Sequence, residues 1–250
     1  VSVLLNPDQD PHLFEPSPAV ARQIADAQIV IANGAHYDEW VDKLLKTAPR
    51  PGRTVISAAK LVKAKHGDNP HLWYNPATMP AVAKAIAGAL SKADSAHAAA
   101  YSERLAKTLA NLDRIAQRVT EMRAKHAGKP VAATEPVFGL MADALGLTMR
   151  NQKFQRALMN ETEPSARDIA AFESDLKNQK VAVLIYNKQV SEKLAERLVT
   201  ELKNKTSLGS AVHAPLKTDG ANTAPPASRL AYSAMRMRSG IPGDQPGVTL

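Results

Sequence analysis

Between Ser95 and Lys125 the chain contains neither proline nor glycine. Leu105, Leu109, Leu112, Ile115, Val119 and Met122 recur there at steps of three and four, which predicts a single amphipathic helix. At 1.5 Å per residue it would extend about 45 Å, more than a small domain is wide. A rod of that length is expected to join two lobes. On either side of it, short β-branched runs alternate with segments of helical spacing. Before it lie a strand at residues 1–5, a helix from Ser17 and Pro18 to about residue 27, a buried strand at 28–32, a helix at 35–46 and a strand at 53–57. A polar, basic loop follows at 60–68, then a helix from Asn75 and Pro76 to about 92. After it lie a strand at 131–134, a helix at 137–145, a short strand at 147–149, a helix from Ser165 to about 178, a strand at 180–186 and a helix at 191–203. Such alternation predicts an α/β fold: two lobes, each a parallel sheet flanked by helices, joined by one long rigid helix. The expected boundaries are 1–94 for the first lobe, 95–127 for the linking helix and 128–209 for the second lobe. Residues 210–250 are rich in Ala, Ser, Pro, Thr and Arg, with no convincing strand and a weak helix at 229–238. They are expected to form a poorly ordered tail.

The composition removes several kinds of chemistry. There is no cysteine among the 250 residues, so disulfides, thiolate metal sites and cysteine nucleophiles are excluded. Any metal must be held by nitrogen and oxygen ligands. The net charge of +8 raises the question of nucleic acid. Acidic residues interleave most lysines, and no basic-aromatic stripe of the kind that stacks bases is present, so the expectation is solvated helix faces and no nucleic-acid partner. No apolar run approaches the roughly 20 residues of a membrane span. No signal peptide is present, and the chain opens inside an apparent strand, so it is read as a mature or truncated piece.

Two short stretches echo each other. Asp10-Pro11-His12-Leu13-Phe14-Glu15-Pro16 and Asn69-Pro70-His71-Leu72-Trp73-Tyr74-Asn75-Pro76 both read polar, Pro, His, Leu, aromatic, then a proline at a helix entry. Proline fixes its own φ near −65° and pushes the residue before it extended. Each imidazole is therefore carried on a stiff turn, and the Leu-aromatic pair behind it can anchor that turn in a core. A lone Pro-His is usually only a loop. Two near-copies are hard to obtain from packing alone, and they suit a metal site.

Together with the long helix and the α/β halves, these turns resemble the metal-binding substrate-binding proteins of bacterial ABC importers for zinc and manganese. The Asp10–Ser17 and Asn69–Trp73 stretches look like the first two ligand motifs of that family. Ala133-Thr134-Glu135-Pro136-Val137-Phe138-Gly139, with Ala144-Leu145-Gly146-Leu147, is similar to the third, and Glu163-Pro164-Ser165-Ala166 matches a further stretch that holds no ligand. The resemblance covers about residues 1–209. Residues 210–250 depart from the family's usual ending, in which a strand and an acidic fourth ligand precede a closing helix. It implies His12, His71 and Glu135 as metal ligands, and Asp219 falls near the place of the fourth.

Two imidazoles and a carboxylate suit zinc in tetrahedral form; manganese tolerates them with more oxygen. Zinc is therefore expected first and manganese next. Imidazoles bind metal only when neutral, so affinity should fall below pH about 6.5. The resemblance implies a periplasmic, monomeric protein that is not an enzyme and that delivers its ion to an ABC permease in the inner membrane. The alternative is a zinc-dependent hydrolase using the same His/His/Glu set. Of the other histidines, His36 could support the site from beside Tyr37 and Trp40, His66 belongs to the short basic loop, and His97, His126 and His213 are expected to be exposed.

Overall fold

The computed structural model describes residues 14–65, 67–160 and 162–187 and, as backbone, 209–213. The expected strand at 1–5, the helices at 191–203 and 229–238, and the rest of the tail lie outside the described residues.

The first lobe begins with α1 (Pro18–Asp26), started by the Ser17 hydroxyl, which accepts from Val20 N at 3.4 Å. β1 (Ile29–Ala32) follows and pairs in parallel with β2 (Thr54–Ser57), Val30 opposite Val55 and Ile31 opposite Ile56. Between them runs α2 (Glu39–Thr47). It starts four residues later than the spacing predicts, because Gly34, Ala35 and His36 all take positive φ and turn the chain first. Gly34 is required there for a second reason: a Cβ would stand 2.7 Å from Ser57 Oγ. β1 is not the buried strand expected, since Ile31 is 51% exposed. Arg53, at the mouth of β2, spreads its guanidinium over the carbonyls of Ala25, Ala27 and Ala48, closing the ends of both flanking helices.

Residues 60–68 are not wholly a loop. Ser57 caps the short helix α3 (Ala58–Val62), whose Ala58 and Ala59 are buried against Leu72 and Val82. The His71 turn comes next, followed by α4 (Thr78–Ala93). Asn75 opens that helix by accepting from Ala77 N at 3.0 Å. The Thr78 hydroxyl is 1% exposed and meets no partner among the described residues. Thr78→Val keeps the shape and removes a buried polar group. It is expected to be neutral or to stabilise by up to about 1 kcal/mol, a few degrees in Tm at most. Calorimetric melting checks this, and a loss above about 1 kcal/mol would mean that the hydroxyl has a partner.

The long helix is present as α5 (Ala98–His126), led in by a 3₁₀ turn at Ser95–His97. Its apolar stripe sinks inward along its length: Leu105 to Ile115 are half-buried, Val119 and Met122 buried. His126, expected to be exposed, is half-buried at its last turn.

The second lobe holds β3 (Pro130–Ala133), β4 (Thr148–Met149), β5 (Val183–Asn187) and β6 (Gly209–His213), in the order β4-β3-β5-β6 with every pairing parallel. β6 corrects the expectation of no strand after residue 208. Its sequence Gly-Ser-Ala-Val-His has little β propensity, and pairing with β5 supplies the missing drive. Between β3 and β4 lies α6 (Gly139–Ala144). After β4 come α7 (Gln152–Met159), which the sequence reading did not anticipate, and α8 (Ala166–Lys177), capped by Ser165. Phe154, Ala157 and Leu158 carry helical spacing, too briefly to stand out as a pattern. Phe154 nonetheless stacks 4.8 Å from Phe172 in the core beneath the sheet.

One apolar cluster spans both lobes. Tyr74 from the His71 turn, Val119 and Met122 from α5, and Val137, Phe138 and Ile185 from the second lobe share it.

Candidate metal centre

The His71 turn is built from backbone hydrogen bonds that its prolines leave possible. Leu72 N donates to Pro70 O at 2.8 Å, and a 3₁₀ turn over Leu72–Tyr74 closes it. Leu72 is 3% exposed and Tyr74 lies in the shared cluster, so the residues behind the histidine do anchor it. Burial pushes the Tyr74 hydroxyl well above the usual tyrosine range. His71 itself is buried, at 6%. Tyr37 and Trp73 stand edge-on to its ring, with centroids 5.8 and 5.4 Å away, and lie 4.9 Å from each other. Those two rings fix the imidazole plane and thin the water around it.

Two asparagines hold this turn in place. Asn33, just past β1, donates from Nδ2 to Pro70 O at 2.8 Å. Its own N–H and that of Gly34 both donate to the Asp38 carboxylate at 2.7 Å. Burial, the largest influence, raises the Asp38 carboxyl above its ordinary range, and those two donors pull it back. Asn69 faces the other way, toward the second lobe. Its Nδ2 donates to Pro136 O at 2.5 Å. Its Oδ1 accepts from His71 N at 3.0 Å and lies 2.7 Å from His71 Nδ1.

Glu135 lies just beyond the C-terminal end of β3. Thr134 N still donates to Ile185 O at 3.0 Å, and Glu135 then takes extended backbone before Pro136 opens the 3₁₀ turn Pro136–Phe138. Parallel sheets present their ligands beyond this end of the strands. The β3 end is held by a side chain: Asn151 Oδ1 accepts from Ala133 N at 3.1 Å and its Nδ2 donates to Ala133 O at 2.6 Å. Gln155 Nε2 donates to Asn151 Oδ1 at 2.8 Å.

Of the four expected ligands, His71 and Glu135 lie on turns joined through Asn69 and Pro136. His12 and Asp219 fall outside the described residues. Among the described residues no three His, Cys, Asp or Glu side chains gather at metal-binding distance. His36 is exposed and its ring contacts Glu39, while its neighbour Tyr37 is the residue against His71. His97 is exposed and bonds Asp94. His66 lies outside the described residues. The backbone of His213 ends β6 opposite Asn187, at the carboxyl end of the parallel strands, the end beyond which Glu135 lies; its side chain, expected to be exposed, lies outside the described residues. Sequence reasoning missed Asn69, Asn33 and Asn151 as supports. A signal existed for Asn69: a polar residue stands two before the histidine in both motifs.

The donor chemistry can be settled from hydrogen-bond logic. A backbone N–H can only donate, so the Asn69 atom facing His71 N is the carbonyl oxygen. That oxygen can only accept, so His71 Nδ1 carries the proton. In neutral imidazole Nε2 is then the electron-pair donor, the form a metal requires.

A protein-family model described as ZnuA, zinc-uptake complex component A, periplasmic, matches residues 1–232. The chain is 24% identical over 227 residues to the high-affinity zinc uptake system protein ZnuA of Bacillus subtilis, covering 83% of this chain and 70% of that one. It is 24% identical over 244 residues to the zinc-binding protein AdcA of Streptococcus pyogenes serotype M3, covering 87% of this chain but spanning only 46% of AdcA. Among solved structures, a crystal structure of ZnuA superposes with a TM-score of 0.72 at 22% identity, over 93% of this chain and 87% of that one. The likeness in structure establishes the two-lobed fold, and the match over residues 1–232 establishes descent: the chain belongs to the family of the periplasmic zinc-uptake component A.

Proposed function

We propose that this chain captures a zinc ion between its two lobes, outside the cytoplasm, and passes it to the permease of an ABC importer in the inner membrane. His12, His71, Glu135 and Asp219 are the proposed ligands, with manganese the second-choice ion and a monomer the working form. The proposed units are a first lobe at 1–94, a linking helix at 95–127 and a second lobe at 128–209. The observation that carries this reading is the contact of His71 Nδ1 with the Asn69 amide oxygen, which leaves Nε2 as the donor nitrogen, on a turn bonded to the one that bears Glu135. Nitrogen and carboxylate oxygen form a donor set that suits zinc. The hydrolase alternative is set aside, because the family is that of an uptake component and not of an enzyme.

Thermal melting of metal-stripped protein with added zinc, manganese or magnesium tests the proposal. Zinc at 100 times its Kd is expected to stabilise by about 2.7 kcal/mol, or roughly 5–10 °C for a chain of this size. Manganese should act less, magnesium not at all, and acidification should shrink the zinc effect as imidazoles protonate. No shift with either transition metal would end the proposal.

A further inference from the structure

We propose that Asn69 is the positioning residue of the metal site, acting on both halves of it through the two ends of one amide. This rests on the metal-binding reading above, but its structural core can be tested without metal.

The Oδ1 end holds His71. It accepts from the backbone N–H at 3.0 Å and from the ring Nδ1–H at 2.7 Å, so it fixes the turn and the tautomer together. The Nδ2 end reaches the other lobe and donates to Pro136 O, the carbonyl directly after Glu135. The amide cannot be reversed. Turned over, Nδ2 would face the His71 N–H, donor against donor, and Oδ1 would face the Pro136 carbonyl, acceptor against acceptor. The sequence leaves room for this amide at a second place. Gly139 has ordinary helical backbone, so conformation does not demand glycine there; a Cβ, however, would stand 2.9 Å from Asn69 Nδ2. Asn33 secures the same turn from behind through Pro70 O. The ends of β1 and β3 are thus connected by a chain of side-chain amides that passes through Asn69, and the spacing of the two ligand turns is set by it. Partners of this kind usually change metal affinity tenfold to a hundredfold when removed.

Three substitutions separate the two ends. Asn69→Ala removes both. Asn69→Asp keeps an acceptor for His71 and loses the donor to Pro136 O. Gly139→Ala crowds Nδ2 and leaves Oδ1 alone. Two readouts are taken on each folded variant: the His71 tautomer in metal-free protein, from long-range nitrogen-proton NMR correlations, and zinc affinity by competition with a chromophoric chelator. The wild type is expected to show His71 protonated on Nδ1. Asn69→Ala should move it toward the Nε2-protonated form and weaken zinc binding tenfold to a hundredfold. Both Asn69→Asp and Gly139→Ala should keep the wild-type tautomer. Gly139→Ala should weaken zinc several-fold through the Pro136 end alone, and Asn69→Asp by less, because its carboxylate makes the imidazole a stronger donor while the bond to Pro136 O is lost.

A wild-type His71 protonated on Nε2 overturns the proposal, as does an Asn69→Ala protein with unchanged tautomer or with zinc affinity within twofold. Unchanged affinity in both Asn69→Asp and Gly139→Ala overturns the part assigned to Pro136. Should Asn69→Ala fail to fold, the wild-type tautomer and the other two variants still decide. If the wild type has the expected tautomer but binds no zinc, the metal-binding reading fails and the positioning geometry stands.

Discussion

His71→Ala is expected to abolish the zinc-dependent rise in melting temperature. The wild-type rise follows from mass action on the folded state, about 2.7 kcal/mol at 100 times Kd. Removing one strong nitrogen donor from a site of three or four should drop affinity by more than a hundredfold, which leaves less than about 0.5 kcal/mol at the same zinc concentration. The readout must be the difference between zinc-loaded and metal-stripped protein, because the substitution also costs stability by itself. His71 is buried, packed against Tyr37 and Trp73, and bonded to Asn69. A generally weakened protein would melt lower in both states and keep the zinc increment. A protein that has lost a ligand loses the increment. Retention of more than half the wild-type increment would remove His71 from the site.

Asn151→Ala should be among the most damaging single changes in the second lobe. β4 is only two residues long and its pairing with β3 ends once Arg150 N has donated to Val131 O. The chain then leaves to form α7, and the Asn151 amide takes the place of the missing strand by bonding both backbone groups of Ala133. Ala133 is 1% exposed, Gln155 3% and Asn151 8%, so water cannot readily replace the amide. The alanine variant orphans an N–H, a carbonyl and the Gln155 amide. At about 1–3 kcal/mol for each of these three buried unpaired groups, the loss is roughly 3–9 kcal/mol. That is a large part of the 5–15 kcal/mol typical of a domain. Denaturant unfolding should show it as a lower midpoint with little change in slope. Because Glu135 lies two residues beyond Ala133, zinc affinity should fall as well. A loss under about 1 kcal/mol would mean that the strand end does not depend on the amide.

Much of the architecture was legible in the chain, and the legible parts share a cause. α5 is recognisable because a proline-free, glycine-free stretch with steps of three and four has few alternatives to a helix. α1, α4 and α8 declare their starts through Ser17, Asn75 and Ser165, whose side chains bond nearby N–H groups within a few residues. What was missed is non-local or too short. β6 has a sequence that favours no strand and exists by pairing with β5, distant in the chain. α7 spans eight residues and was given no periodic signal long enough to read. The half-burial of His126 and the exposure of Ile31 depend on what lies opposite them in space.

The site divides in the same way. The chain by itself determined that His71 would sit on a proline-stiffened turn, that a carboxylate would follow a strand end, and that no thiolate could take part. Those are properties of residue identity and of bonds reaching a few positions along the backbone. Only the tertiary structure decided that Asn69 spans from His71 to Pro136, that Tyr37 and Trp73 enclose the ring, and that Asn151 completes β3. The Tyr37 contact and the Asn151 bonds join groups distant along the chain and need their own lobe folded, while the Asn69 bond to Pro136 exists only once the two lobes meet.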